Sequence, residues 1–373
     1  MAEKYSFVFG VLSNEFLQLK TTDNIYLKDL LEQEIFPGIA EYNSRTSALK
    51  SLFAYDFEDK NANTKKMFAS DEFTELSEIE VPANRNQFDS WNRPVPIRRF
   101  GAATKLHRET IVQMTSKQIT EWANAKFVAD QKLIVKEMFS AMATKAPSSR
   151  VDALTHIAAT PKAFWNNEGS MDTPRPNGQI TFDGDHDHYL AVATKDNLNS
   201  GAELDTLISR VTEHEGANGQ VLLWACTGAT INLIKADTAF KPIKEISAIL
   251  GAVNPEYNNS GFVQALINGT KVMGYNVKAV GTWKEAVVIE TPDLPADYIL
   301  ATMYHGENHP SNPLAFRTHP QFPGLMLVSE SGNNPIIGAD AQYRRYLGLG
   351  VNERSMGACL YVGDTSWDEP SFS

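Results

Sequence analysis

Two short segments rich in histidine and carboxylate residues are where this sequence could hold a metal ion. The first, DGDHDHY at residues 183–189, carries His186 and His188. Its spacing differs from that of a calcium-binding loop, because the sixth position is His188 where glycine is needed and the twelfth is Thr194 where glutamate is needed. We interpret the segment as a solvated turn that enters a strand at Tyr189–Ala193, with a bound metal as the alternative.

The second segment, HGENHP, places His305, Glu307 and His309 close together. These residue types resemble a zinc-protease motif, but the glutamate is misplaced. Gly306 and Pro310 also disfavour the helix on which the two histidines would share a face. We interpret the segment as a loop with ordinary surface histidines.

The other candidate reactive features are weaker. Gly348–Gly350 lacks the third glycine of a dinucleotide-binding loop, so a tight passage between strands is the better interpretation. Cys226 stands among apolar residues and is expected to be a small buried side chain, not a nucleophile. The sequence has no GxxxxGK[ST] phosphate loop and no GxSxG nucleophile elbow. We therefore expect a protein that is not an enzyme and has no catalytic residue, cofactor or metal.

A long helix from Thr115 to Lys145 is the clearest element that the sequence predicts. Thr115 and Gln118 supply the two halves of a capping box, and Met114 and Ile119 stand where a hydrophobic staple would form. The helix would span roughly 30 residues and ~45 Å. An apolar stripe along it predicts one buried face. The stripe consists of Ile119, Ala123, Phe127, Ile134, Met138 and Met142.

An arm is expected before this helix. Residues 24–55 show a helical pattern with a candidate break at Pro37, and the polar, aperiodic residues 57–70 are typical of an exposed connection. The apolar stripe of the arm needs a surface to cover it, and neighbouring copies of the chain are the expected cover. The stripe consists of Leu27, Leu30, Leu31, Ile35, Ile39 and Tyr42.

A long hairpin is expected from Phe73 to Thr110, where two alternating segments flank a polar tip at residues 83–93. Pro82, Pro94 and Pro96 cannot donate to a central ladder, so the hairpin should lie at a sheet edge or stand clear of any large sheet. A lone two-stranded ribbon is marginally stable in water. The hairpin should therefore also rest on a neighbouring copy.

The rest of the chain predicts a region of mixed helices and strands, so the fold class is α+β. Helices are expected near Ala202–Glu215, Ala229–Ala236 and Gly261–Ile267, and strands near Gln220–Ala225, Gly274–Val280, Ala286–Glu290, Tyr298–Met303, Leu325–Ser329, Tyr343–Leu349 and Met356–Val362.

The bulk composition limits the function classes. At 373 residues the chain should form more than one core, since single cores seldom exceed roughly 250–300 residues. A formal net charge of −11 argues against a dedicated nucleic-acid binder, which needs clustered Lys and Arg. Cys226 and Cys359 are too few for a disulfide framework and indicate a reducing cytoplasm. Neither a secretion signal nor the ~18 apolar residues of a membrane span is found.

The order of an arm, a hairpin, a long capped helix, a mixed domain and returning strands resembles the Hong Kong 97-like capsid fold of tailed-bacteriophage major capsid proteins. Encapsulins share this fold. The resemblance covers essentially the whole chain, and its most specific part is the running pattern of residues 296–364, from ADYILATMYHG to GACLYVGD. It depends on this pattern and on no single diagnostic motif.

The resemblance implies a division of the chain. It gives an N-terminal arm at 1–69, an extended loop (β-hairpin) at 70–112, a peripheral domain at 113–219 with its spine helix at 115–145, an axial domain at 220–337, and C-terminal strands at 338–373 that return to the axial and peripheral domains.

The resemblance also implies a structural role in the virion. Subunits would self-assemble in the host cytoplasm into pentamers and hexamers of an icosahedral shell that encloses double-stranded DNA without sequence-specific binding and without a membrane. The expected partners are a portal, decoration proteins and a scaffolding protein. The scaffolding protein would be separate, or a precursor cleaved, because no long extension precedes the arm.

The extended loop departs from relatives that crosslink through a lysine there, because no lysine occurs between Lys66 and Lys105. Guanidinium groups could instead form forked ion pairs with carboxylates of the next subunit. The expected inter-subunit contacts are Arg85, Trp91, Arg93, Arg98 and Arg99. For Arg98 and Arg99, a solvated charged face is the equal alternative.

Two other functions stay open. One is an encapsulin-like nanocompartment shell, which would enclose a cargo enzyme and not DNA. The other belongs to a different class, a metal-dependent hydrolase that uses His186, His188, His305 or His309.

Overall fold

Two mixed β-sheets and one long helix make up most of the structure. The computed structural model describes residues 8–9, 17–45, 53–57, 61–67, 88–106, 108–166, 186–193, 201–214, 216–242, 277–330 and 339–372. None of the helices in these ranges is long and apolar enough to cross a membrane.

The helical segments are α1 (Leu27–Leu30), a π-helical turn (Leu31–Ile35), α2 (Phe36–Arg45), α3 (Arg108–Gln113), α4 (Ser116–Ala143), α5 (Ala202–Thr212) and α6 (Ala229–Ala236). The strands are β1 (Val8–Phe9), β2 (Ala54–Phe57), β3 (Asn61–Met67), β4 (Phe88–Pro94), β5 (Ile97–Leu106), β6 (Arg150–Val151), β7 (Ala158–Ala159), β8 (Tyr189–Val192), β9 (Gln220–Cys226), β10 (Phe240–Pro242), β11 (Lys278–Trp283), β12 (Ala286–Thr291), β13 (Tyr298–Tyr304), β14 (Leu314–Thr318), β15 (Leu325–Glu330), β16 (Ala339–Val351) and β17 (Gly357–Val362).

The first sheet has six strands in the order β1-β15-β16-β14-β2, with β5 paired to β16. The second has seven strands in the order β10-β11-β12-β9-β13-β17-β8. Two further two-stranded ribbons pair β3 with β4 and β6 with β7. The adjacent strands β16 and β17 therefore belong to different sheets, and the turn between them links the two.

The predicted spine helix is confirmed. Thr115 is the N-cap of α4, its hydroxyl accepts the Gln118 amide at 3.3 Å, and the Gln118 side chain accepts the Thr115 amide at 2.9 Å. Both bonds of a capping box are therefore present. Buried residues of the helix include Ile119, Ala123 and Met138, so the apolar stripe forms the inner face.

The main core lies where the C-terminal half of α4 meets both sheets, around Phe139 and Trp224. Strand β9 is buried on both faces: Leu222 and Trp224 face this core, while Leu223 and Ala225 face a second core under α5 and α6. Burial on both faces explains why this strand reads as a continuous apolar run instead of an alternating one.

The arm helix continues through Pro37, so the expected break is not observed. Pro37 has no N–H, and its ring would clash with the carbonyl four residues earlier in a regular helix. A π-helical turn at Leu31–Ile35 lies directly before this point. The wider turn offers a way to accommodate the proline without ending the helix.

The expectation that other copies must cover the arm's apolar stripe is wrong for residues 27–39. Leu27, Leu30 and Ile39 are buried within the chain, in a third core shared with α4 and β15. Tyr42 stacks on Phe127 of the spine helix with ring centroids 5.2 Å apart. The sequence could show that the stripe needed a cover, but not that the same chain supplies it.

The hairpin differs from its prediction in one respect and agrees with it in another. Residues 61–67, expected to be an exposed connection, form β3 and pair with β4, so part of the expected polar tip is strand. The polar sequence of this strand has no apolar period from which it could be predicted. Among the described strands, β5 pairs with β16 alone, through residues 339–348, so it is an edge strand of the first sheet, as predicted. The predicted strand residues 78–81 and helix 261–267 lie outside the described residues.

Candidate functional site

The five residues expected at subunit contacts lie in different environments. Arg85 falls outside the described residues, and of Trp91 only the backbone, in β4, is described. Arg93 is buried and pairs with Glu353 at 3.0 Å within the same chain. Arg98 pairs with Glu137 of the spine helix and stacks over the Phe100 ring. Arg99 is exposed and makes no ion pair within the described part of the chain.

The environments of these arginines show which of them is available for contact with another molecule. Arg93 and Arg98 each have a carboxylate partner within the chain, although Arg98 shares Glu137 with Arg150, whereas Arg99 presents its guanidinium to solvent. Of the residues that can be compared, Arg99 is therefore the best placed to reach a carboxylate on another molecule. The inter-subunit role of all five remains a prediction.

Asp152 fixes the junction where the extended loop meets the body of the protein. Its carboxylate accepts hydrogen bonds from the amides of Ile97, Leu154 and Thr155 at 2.9–3.0 Å. Arg317 of β14 donates to it at 2.6 Å and also to the carbonyl of Val95 at 3.1 Å. Burial alone would raise the pKa of Asp152, but these hydrogen bonds outweigh burial and lower its pKa to about 2.

A second buried ion pair joins the spine helix to the long strand β16. The guanidinium of Arg345 contacts the Asp130 carboxylate through Nε at 2.6 and 2.8 Å and through Nη2 at 2.6 Å. The Tyr42 hydroxyl donates to the same carboxylate at 2.8 Å. The Asp130 carboxylate therefore connects three elements that are distant in sequence: the arm, the spine helix and β16.

Three buried histidines form the group in the described structure whose geometry could hold a metal ion. The Nε2 atoms of His186, His188 and His214 lie 3.0–3.1 Å from one another. All three rings are buried, with exposed fractions of 3%, 0% and 0%. The interpretation of residues 183–189 as a solvated turn is therefore wrong for His186 and His188, although the strand that follows them is present as β8.

The histidine cluster favours neutral imidazoles. Burial, with the positive charge of Arg210 as a smaller cause, lowers the pKa of His186 to about 4. Burial and the neighbouring His214 hold the pKa of His188 well below its usual value. Sequence reasoning missed His214, Arg210 and Glu213, because they follow the apolar positions of a helix and stand 22 or more residues from the other histidines.

The second predicted histidine pair does not join this group. His305 and His309 stack on each other with ring centroids 5.5 Å apart, and the Nδ1 atom of His309 accepts the amide of Ser311. His309 is exposed, in agreement with the interpretation as a surface loop.

Two further interpretations from the sequence are confirmed. A side chain at Gly348 would lie 3.1 Å from the Pro96 carbonyl, so a tight passage between strands explains this glycine. Cys226 is buried, and burial, followed by the charge of Asp297, raises the pKa of its thiol, which fits a packed side chain and not a nucleophile.

Several solved structures with a similar fold come from phages. A structure described as Mycobacterium phage Patience has a TM-score of 0.61 and 21% sequence identity, and the match covers 97% of this chain and 95% of that one. The capsid of Ralstonia phage GP4 has a TM-score of 0.51 and 10% identity over 87% of this chain and 93% of that one. No protein-family model and no curated protein sequence matches the chain. The expected α+β, Hong Kong 97-like phage capsid fold is thus confirmed.

Proposed function

We propose that this chain is the major capsid protein of a tailed phage and self-assembles into pentamers and hexamers of an icosahedral shell around double-stranded DNA. The observation that carries the proposal is a shared fold along 97% of this chain and 95% of a phage protein, so no large part is left for another function. The net charge of −11 supports it, because an acidic shell protein weakly repels the DNA packed inside the shell.

The proposed domain division is the one that the resemblance implies. It assigns residues 1–69 to the arm, 70–112 to the extended loop, 113–219 to the peripheral domain, 220–337 to the axial domain and 338–373 to the returning strands. Strands β9–β13 form most of the second sheet, which supports a unit beginning near residue 220. The placement of β16 and β17 in separate sheets supports a C-terminal segment that returns to both domains.

The proposed setting is assembly in the host cytoplasm. The partners would be a separate scaffolding protein, a portal and decoration proteins, and the shell would hold DNA without reading its sequence. The two buried free thiols of Cys226 and Cys359 fit folding under reducing conditions.

Electron microscopy tests the assembly proposal directly. We expect the expressed protein, alone or together with its scaffolding protein, to form closed shells some tens of nanometres across in negative stain. Sedimentation of the same sample should show large particles. A chain that stays a small, stable monomer at high concentration under both conditions would contradict the proposal. Particles that contain a protein cargo in place of DNA when isolated from the native host would instead favour the encapsulin-like alternative.

Reversing the charge of Arg99 should impair assembly without unfolding the subunit. Arg99→Glu would replace attraction to a carboxylate of the next subunit by repulsion, whereas the isolated subunit loses no ion pair that the structure describes. We expect a clear fall in the yield of particles, with Arg99→Lys intermediate because lysine cannot make a forked contact.

The control for Arg99→Glu is Lys136→Glu, which reverses an exposed charge on the spine helix. Yield is measured by sedimentation and the folding of the subunit by circular dichroism. A yield from Arg99→Glu equal to that of the control would support the solvated-face alternative.

A further inference from the structure

We propose that His186, His188 and His214 together bind a divalent transition-metal ion, with zinc as the best match, and that this ion joins helix α5 to the edge of the second sheet. All the contacts involved are within one chain, so the inference does not depend on the proposed capsid function.

The three histidines come from two separated segments that meet at one point. His186 and His188 lead into β8, the edge strand of the second sheet. The backbone of His188 is held on both sides, donating to the Trp165 carbonyl at 2.9 Å and accepting from the Cys359 amide at 2.8 Å. His214 follows the end of α5. A shared ion would therefore connect a helix end to a fixed sheet edge.

Hydrogen bonds among the rings cannot explain their mutual distances. The three Nε2 atoms form a triangle with sides of 3.1, 3.1 and 3.0 Å. Each Nε2 of a neutral imidazole offers either one N–H or one lone pair in the ring plane. Such a triangle therefore always places two donors or two acceptors opposite each other. Hydrogen bonds cannot satisfy all three nitrogens at once. A cation near the centre would accept all three lone pairs at once.

The size of the triangle fits a metal ion. Zn–N bonds of about 2.0–2.1 Å at tetrahedral angles place ligand nitrogens roughly 3.3–3.4 Å apart. The observed sides need to expand by only about 0.3 Å to reach this geometry. Imidazole nitrogens select zinc, copper, nickel or iron over magnesium and calcium, which prefer oxygen. The fourth position of a tetrahedral ion would be left for a water molecule or another ligand.

The outer contact of His188 suits metal binding. The Nδ1 atom of His188 lies 2.7 Å from the carbonyl oxygen of Gly357, so this nitrogen must carry the proton. The Nε2 atom of His188 is then a lone pair directed at the other two rings. A carbonyl partner on the far nitrogen is the usual outer contact of a metal-binding histidine.

The outer contacts of His186 provide a way to admit the ion. Arg210 donates to Nδ1 of His186 at 2.6 Å, which places the ring proton on Nε2. The Glu213 carboxylate lies 3.4 Å from the same Nδ1 and 3.4 Å from Arg210. A metal bound at Nε2 requires the tautomer of His186 that carries its proton on Nδ1, and this N–H can donate a hydrogen bond to the Glu213 carboxylate. Arg210 would then shift towards Glu213, so that the carboxylate balances the added positive charge.

Titration of the full-length protein with metal tests the proposal. After removal of bound metal by a chelator and dialysis, zinc should bind at one ion per chain by elemental analysis. Cobalt(II), used as a coloured substitute, should give visible d–d absorption bands at the same stoichiometry. Zinc should also raise the midpoint of thermal unfolding by several degrees, since an ion that binds only the folded state stabilises it.

Variants locate the site. His214→Gln should lose stoichiometric zinc binding and the cobalt bands, whereas His156→Gln, which changes an exposed histidine outside the cluster, should keep both. Glu213→Gln should weaken zinc binding by about 10- to 100-fold, as expected for loss of an outer-contact carboxylate. His305→Gln combined with His309→Gln should leave binding unchanged.

Two results would overturn the proposal. One is wild-type protein that binds well below one zinc or cobalt ion per chain after reconstitution. The other is a folded His214→Gln protein that binds as tightly as wild type. Should His214→Gln fail to fold, His186→Gln provides the same comparison, and the wild-type stoichiometry remains decisive.

Discussion

Replacing Asp152 by alanine is expected to lower the free energy of unfolding by about 3–5 kcal/mol, the range for breaking a buried ion pair by removing one partner. The substitution leaves the Arg317 guanidinium buried without its carboxylate, and it also removes the acceptor of three backbone amides. Chemical denaturation of the unassembled subunit, followed by circular dichroism, measures the effect.

The pH dependence of the same variant provides a second readout. The folded-state pKa of Asp152 is lowered from 3.8 to about 2. A carboxylate with a lowered pKa stabilises the folded state fully above its unfolded value, and this contribution is lost as the pH falls through the folded value. Wild-type protein should therefore lose this part of its stability between about pH 4 and pH 2. The Asp152→Ala variant should lack that part of the acid transition.

An exposed ion pair gives the matched control for Asp152. Asp205 pairs with Lys284 at the surface, where both side chains are about half exposed. Asp205→Ala should cost no more than about 1 kcal/mol. Equal losses from the two aspartates would show that the junction at Asp152 contributes no special stability.

Replacing Asp130 by alanine should have an effect of similar size, about 3–5 kcal/mol, because Arg345 would keep a buried charge without a partner. Tyr42→Phe removes only the hydroxyl donor to the same carboxylate and should cost less, about 1.5–3 kcal/mol, the range for a hydrogen bond to a charged group. Denaturant unfolding of both variants checks this order.

A double variant separates the ion pair from simple packing at Asp130. Asp130→Leu combined with Arg345→Leu leaves no unpaired charge, so it should be clearly more stable than Asp130→Ala alone. A double variant at least as unstable as the single one would show that shape, and not charge, governs this site.

Elements with strong local signals were predictable from the sequence. The capping box at Thr115 and Gln118 located the start of the spine helix, and the helix at Ala229–Ala236 has the predicted bounds. Strands β12, β13, β15 and β17 lie within one or two residues of their predicted positions. In each case the local sequence and the final packing favour the same conformation.

Features that depend on distant partners were not predictable. The arm's stripe at Leu27 and Ile39 indicates burial, but nothing local indicates that the covering surface includes β15, almost 300 residues later. The polar strand β3 depends on pairing with β4 rather than on its own periodicity.

The histidine cluster shows the same limit. The composition of residues 183–189 made His186 and His188 candidate metal ligands. His214 becomes a candidate only in the folded structure, where its Nε2 atom lies 3.0 Å from that of His188. Of the expected contact residues, Arg93 illustrates a different cause, since its partner Glu353 lies 260 residues away.

The separation of β16 and β17 into different sheets has a consequence for biosynthesis. Residues 339–348 pair with the full length of β5, and β17 lies between β13 and β8. Neither sheet is therefore complete until the segment that contains β16 and β17 has been synthesised. Until the ribosome releases it, the nascent polypeptide exposes strand edges that can pair with other chains. Completion of both sheets therefore waits until residues 339–362 have left the ribosome, and chaperone protection matters most in the interval before this segment emerges.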